Sequence, residues 1–133
     1  MPAYIFDSHA LLAFFQGEPG ANRVAEILRD SRERHFDIFI CMINLGEIVY
    51  LTKRRFGDEK KIEVLSRIYQ LGLNVLSATD SLVFQAAEFK AQYALSYADC
   101  FALACSVNYS ATLVTGDPEF KTVAHLIEIA WIR

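Results

Sequence analysis

The sequence has no Cys-x-x-Cys pair, no glycine-rich phosphate loop, no excess of cationic charge and no apolar run long enough to span a membrane. Each absence removes a class of protein. The three cysteines, Cys41, Cys100 and Cys105, are odd in number and sit within apolar runs. They suggest neither a disulfide framework nor a zinc knuckle, and they fit a reducing cytoplasm. His35 and His125 lie far from any acidic motif, so neither a zinc site nor a histidine base is expected. Without a glycine-rich loop, nucleoside triphosphate hydrolysis has no support. Lys and Arg total 13 against 16 Asp and Glu, a formal charge of −3. The long-range field therefore does not attract nucleic acid, and such a partner would need metal ions and a local basic patch. No basic leader precedes a long apolar stretch, so no signal peptide is expected. No linker, repeat or low-complexity tract interrupts the chain. Its 133 residues, 53% of them hydrophobic, suit one domain over 1–133 with a real core.

What is present is an alternation of short apolar runs with segments of helical spacing. Ala3-Tyr4-Ile5-Phe6 predicts a buried strand ending at Asp7, followed by a helix over residues 8–15. Gly17 to Gly20 breaks the chain, and residues 21–34 have helical spacing. Ile38-Phe39-Ile40-Cys41 predicts a second strand. Asn44 would then open a helix with Leu45, Ile48, Val49, Leu51 and Thr52 inward, ending near Phe56-Gly57. Asp58 would cap a further helix, with Ile62, Val64, Leu65, Ile68 and Tyr69 inward and Gly72 closing it.

Leu73 to Leu76 predicts a third strand. A helix capped by Thr79 or Asp80 and running to about Leu95 follows, with Val83, Phe84, Ala87 and Ala91 as core or dimer surface. Ser96 caps another helix over 97–109. Thr112 to Thr115 predicts a fourth strand, Gly116-Asp117-Pro118 a sharp turn, and Ile127-Glu128-Ile129 a weaker last strand. Strands alternating with helices predict the α/β class, with a mostly parallel sheet covered on both faces.

Four acids stand out on this frame: Asp7, Glu47, Asp99 and Asp117. Sites in open parallel sheets form beyond the carboxyl ends of the strands. Asp7 ends the first strand, and Asp117 follows the fourth by two residues. Glu47 lies in the first turn of the helix leaving the second strand. Asp99 lies in the first turn of the helix that returns to feed the fourth. All four therefore converge on one edge. Gathered carboxylates repel one another unless a cation neutralises them. Oxygen ligands at a hydrated site suit Mg²⁺ or Mn²⁺. Each acid also has a local explanation. Asn44-x-x-Glu47 and Ser96-x-x-Asp99 have capping spacing, Asp7 could cap the first helix, and Asp117-Pro118 is ordinary turn chemistry. Capping does not explain why all four share an edge.

Four stretches carry a family resemblance: Ile5-Phe6-Asp7-Ser8 with Ala10-Leu11-Leu12, Asn44-Leu45-Gly46-Glu47, Leu95-Ser96-Tyr97-Ala98-Asp99 running on to Ala104, and Leu113 to Phe120. In this order and spacing the chain resembles the PIN-domain ribonucleases, and in particular the VapC toxins of toxin–antitoxin pairs. The resemblance implies an α/β/α sandwich with a five-stranded sheet of order 3-2-1-4-5. It implies Mg²⁺- or Mn²⁺-dependent endonuclease action on RNA by activated water, with Asp7, Glu47, Asp99 and Asp117 as the metal-binding catalytic acids. Ser8, Asn44 and Thr115 match supporting polar positions, and Glu119 a possible accessory acid or a solvated turn residue. The resemblance also implies a homodimer and a small VapB-like antitoxin. His9 departs from the family, which more often has a small polar residue there.

Lys53, Arg54 and Arg55 follow Glu47 by one to two helical turns. They read equally well as an RNA path or as a solvated helix end. Tyr97 is open in the same way between base stacking and packing. A haloacid-dehalogenase-type phosphatase would need an aspartate where His9 stands. A PIN-like binding module without chemistry would lack one or more of the acids, and all four are present. A response-regulator receiver would need an acidic pair near the first strand, where only Asp7 is present.

Overall fold

The computed structural model describes residues 2–133; Met1 lies outside them. Strands β1 (Ala3–Phe6), β2 (Asp37–Cys41), β3 (Asn74–Leu76), β4 (Thr112–Thr115) and β5 (Ile129–Trp131) form one sheet of order β3-β2-β1-β4-β5. Every pairing is parallel. Parallel neighbours need crossovers, and helices supply them. They are α1 (Ser8–Gln16) and α2 (Ala21–Arg34) after β1, α3 (Met42–Phe56) and α4 (Asp58–Gln70) after β2, and α5 (Asp80–Gln92) and α6 (Tyr97–Tyr109) after β3. A 3-10 helix over Pro118–Val123 links β4 to β5.

Side-chain alternation along the strands divides the core into two halves. Phe6, Ile38, Ile40 and Val114 face α1 to α4 and pack with Leu11, Val24, Leu45, Ile48 and Ile68. Ile5, Cys41 and Leu113 face the other way and pack with Leu82, Phe101, Leu103 and Phe120. The sheet is thus the middle of three layers, as a parallel sheet with apolar residues on both faces requires. All three cysteines are free and buried. Among the described residues, no helix is long and apolar enough to cross a membrane.

Several boundaries differ from expectation. Helix α3 begins at Met42, not Asn44, with Cys41 as its cap. Asn44 is therefore inside the helix and is not a capping residue. Helix α5 stops at Gln92, and Thr79 is its cap, accepting from the Leu82 N–H at 3.2 Å. Lys90 Nζ then donates to the Leu95 carbonyl at 2.7 Å, covering the chain between the two helices. Strand β5 lies two residues later than predicted, because the 3-10 helix takes up chain that the sequence suggested was only a turn. Ile62 and Tyr69 on α4 are not inward: they are 61% and 57% exposed. Helix α4 lies outside α3 and needs only the narrow stripe of Val64 and Ile68 to bury itself. Phe84 on α5, expected in the core or on a dimer surface, lies on the surface, at 71% exposed.

Candidate metal centre at the sheet's carboxyl edge

The chain winds outward from β1 through β2 to β3, then returns to the opposite side of β1 as β4. The strand order reverses between β1 and β4, and open parallel sheets place ligands at such a crevice. Asp7 and Thr115 sit at the carboxyl ends of these two strands, where the Asp7 N–H donates to the Val114 carbonyl at 3.3 Å.

Asp7 is 1% exposed. One of its oxygens caps α1, accepting from the Ala10 N–H at 2.8 Å. The other accepts from the Thr115 hydroxyl at 2.5 Å. The Thr115 oxygen in turn accepts from the Asp117 N–H at 3.0 Å, so one hydroxyl ties Asp7 to the following turn. Asp117 accepts from the Glu119 N–H at 2.9 Å and starts the 3-10 helix. Glu47 accepts from the Ser8 hydroxyl at 2.5 Å, across 39 residues of sequence, and does not close a capping box on its own helix. Buried Asn44 donates to the Ala98 carbonyl at 3.2 Å and so joins α3 to the first turn of α6. Ser96 caps that turn, accepting from the Asp99 N–H at 3.1 Å.

One carboxylate oxygen from each of Asp99, Asp117 and Glu119 falls within 4.8 Å of the others. Asp7 and Glu47 stand outside this tightest trio but within its field. Burial pushes Asp99 up to about 6; the Ser96 hydrogen bond opposes the shift, and Asp117, Glu47 and Glu119 add to it. Burial likewise pushes Asp7 up to about 7, opposed by Thr115 and Ala10 and reinforced by Asp99 and Asp117. Asp7 is thus more deeply buried than Asp99, while more neighbouring carboxylates act on Asp99. Asp117 is intermediate in burial, and Glu119 is exposed to solvent while placing an oxygen in the trio.

Among the described residues, no ion pair offsets these charges. Among the described residues, ion pairs join Arg23 to Glu26, Asp58 to Lys53 and Lys61, and Lys60 to Glu63. None involves Asp7, Glu47, Asp99, Asp117 or Glu119. An all-oxygen, partly buried and uncompensated donor set fits a hard divalent cation.

The basic residues of α3 divide. Lys53 is held by Asp58 at 3.1 Å. Arg54 lies over the Tyr50 ring and Arg55 over that of Phe56, and Arg55 also donates to Gln16 at 3.2 Å. Arg54 and Arg55 line a hollow between α1 and α3 that reaches His9. Tyr97 packs edge-on against Phe101, with ring centroids 5.1 Å apart, while remaining 45% exposed. A second hollow opens beside Gly116 and Pro118 and is walled by Lys121, Trp131 and Arg133. Sequence reasoning singled out none of these last three. The available signal was the chain's sole tryptophan between two cations near the last strand.

A three-layer parallel domain with an acidic crevice where its strand order reverses is the class that fold and site define. A PIN-domain family profile matches residues 4–126, and the chain belongs to that family. No curated protein matches the sequence. Solved structures with the same fold include DNA-bound VapBC from Salmonella typhimurium, with TM-score 0.75, 16% identity and 100% of both chains covered. VapBC2 from Rickettsia felis, bound to a promoter DNA fragment, gives TM-score 0.73 at 16% identity, covering 96% of this chain and 97% of the other. VapC20 from Mycobacterium tuberculosis, a toxin that cleaves the sarcin–ricin loop, gives 0.73 at 18% identity, covering 94% and 97%. At these identities the likeness is one of fold.

Proposed function

We propose that the protein is a divalent-metal-dependent endoribonuclease, acting as a single PIN domain over 1–133 and serving as the toxin of a toxin–antitoxin pair. The observation that carries this reading is the uncompensated carboxylate cluster at the switch point of a PIN fold. Asp7, Glu47, Asp99 and Asp117 would hold Mg²⁺ or Mn²⁺, with Glu119 as a further oxygen donor. Held there, such a cation would supply a lowered pKa for water, charge offset for the phosphate and stabilisation of the leaving oxyanion.

The chain's own groups supply the rest. Thr115 and the Ala10 N–H fix the rotamer of Asp7. Ser8 holds Glu47 toward the cluster, and Asn44 sets the spacing of α3 and α6, which carry Glu47 and Asp99. The N-termini of α1 and α6 lie at this edge, and the first-turn N–H groups not taken up by the Asp7 and Ser96 caps would serve an incoming phosphate. The reaction breaks a phosphorus–oxygen ester bond by addition of water at phosphorus, with the leaving ribose oxygen taking up a proton.

An antitoxin partner is proposed from the VapBC complexes that share the fold, and a homodimer from the outward Phe84, Ile62 and Tyr69. A cytoplasmic setting goes with an RNA substrate. The test is cleavage of total RNA and of short labelled RNAs. Activity should vanish with chelator and return with Mg²⁺ or Mn²⁺; cleavage that ignores the chelator contradicts the reading. Light scattering should give twice the mass of the chain.

A further inference from the structure

The hollow beside Gly116 and Pro118 holds about 320 Å³, at the small end of ligand pockets, which run to roughly 300–1,000 Å³. Its position follows from sheet register. Trp131 pairs with Thr115 across β4 and β5, and Thr115 is the residue that binds Asp7. Trp131 therefore stands at the same level of the sheet as the acids. Pro118, part of the wall, is flanked in the chain by Asp117 and Glu119. The indole is half-buried against the core half that contains Phe120 and Val123, and its remaining surface faces the hollow.

The rim is cationic. Lys121 and Arg133 are exposed, and neither forms an ion pair among the described residues. A terminal nitrogen of Arg133 lies 3.5 Å from His9 Nε2, and His9 Nδ1 is buried without a hydrogen-bond partner. His9 can pack there because residue 116 is glycine: a Cβ at Gly116 would meet His9 Cε1 at 2.8 Å. An acidic chain with an acidic site repels a polyanion unless local cations flank that site. Lys121 and Arg133 share this hollow with Pro118, which stands between Asp117 and Glu119 in the chain. An aromatic face with flanking cations is the pairing that holds single-stranded nucleic acid.

We propose that this hollow binds one nucleotide of a single-stranded RNA beside the phosphate to be cut, with the base stacked on Trp131 and adjacent phosphates held by Lys121 and Arg133. The inference rests on the ribonuclease reading and names a nucleotide subsite for it. It also explains how a chain of net charge −3 gathers its substrate.

The chain has one tryptophan, so its emission reports this hollow alone. The test uses the Asp99→Asn protein with Mg²⁺, to keep RNA intact, and a short fluorescent single-stranded RNA of mixed sequence. RNA should quench Trp131 emission. Trp131→Ala should weaken binding roughly 5- to 100-fold, and Trp131→Phe should restore most of it. Lys121→Ala should flatten the dependence of log affinity on log salt by about 0.7, a slope that Trp131→Ala leaves unchanged. In the wild-type background, Trp131→Ala should raise KM more than it lowers kcat. If wild type cleaves RNA but quenching is absent and Lys121→Ala keeps the parental slope, the subsite is wrong and the ribonuclease reading stands. If wild type neither binds nor cleaves RNA with either metal, both fall. Should Trp131→Ala fail to fold, quenching and the Lys121→Ala slope decide.

Discussion

At the scale of residues, Asp7 is a carboxylate whose surroundings favour its proton. Both oxygens are already engaged, and burial pushes it up to about 7 from an ordinary 3.8. Asp99 follows, to about 6. The sign is fixed by linkage: a raised pKa means that the folded state binds more protons than the unfolded chain between the two values. Metal-free protein should therefore lose stability as pH rises from about 4 to about 7, by on the order of 2–4 kcal/mol from Asp7. Thermal melts in chelator should show it, and Asp7→Asn should flatten the decline while removing activity. Added Mn²⁺ should stabilise more at about pH 8 than at about pH 5, since binding must displace the protons. The acids themselves were legible in the sequence, because each ends an apolar run or opens the helix beside one. Their partners were less so. Ser8 reaches Glu47 across 39 positions, and no local pattern encodes that contact.

At the scale of elements, two joints set the site. The first is Asn44, which spans from α3 to the Ala98 carbonyl on α6. The sequence offered it as a helix cap; the start of α3 at Met42 turns it instead into a cross-brace. Asn44→Ala should lower metal affinity roughly 10- to 100-fold, the usual effect of losing a group that positions ligands, as read by Mn²⁺ titration. The second joint is Gly116 against His9. A methyl at residue 116 would also come within 3.1 Å of Ile132 Cγ1. Gly116→Ala should cost about 1–3 kcal/mol by overpacking, and less in a His9→Ala background, where the nearest atom is gone; a double-mutant cycle by denaturant unfolding measures this. The position of β5 was not legible either. Ile127-Glu128-Ile129 alternates as a strand should, but the length of the 3-10 helix decides which residues reach β4. The two-residue shift is what brings Trp131 to the level of Thr115.

At the scale of the whole molecule, the fold class and strand order were readable because every strand from β1 to β4 is a short apolar run between helical segments. That pattern leaves few arrangements other than a buried parallel sheet. The outward face of α4 was misread in part, and Phe84 on α5 falls on the surface side of the core-or-dimer-surface expectation. Periodicity identifies an apolar stripe, but not whether the chain itself covers it, and Ile62, Tyr69 and Phe84 remain open to solvent. The central claim is that the sheet order exists to assemble a cation-dependent site for cutting RNA. It is tested most directly by RNA cleavage across a Mn²⁺ titration, comparing wild type with Asp99→Asn at a pH where both are folded. Wild type should cleave only with metal, and the mutant should lose at least about 100-fold in activity. Equal cleavage by the two proteins, or cleavage by wild type that persists in chelator, would contradict that claim.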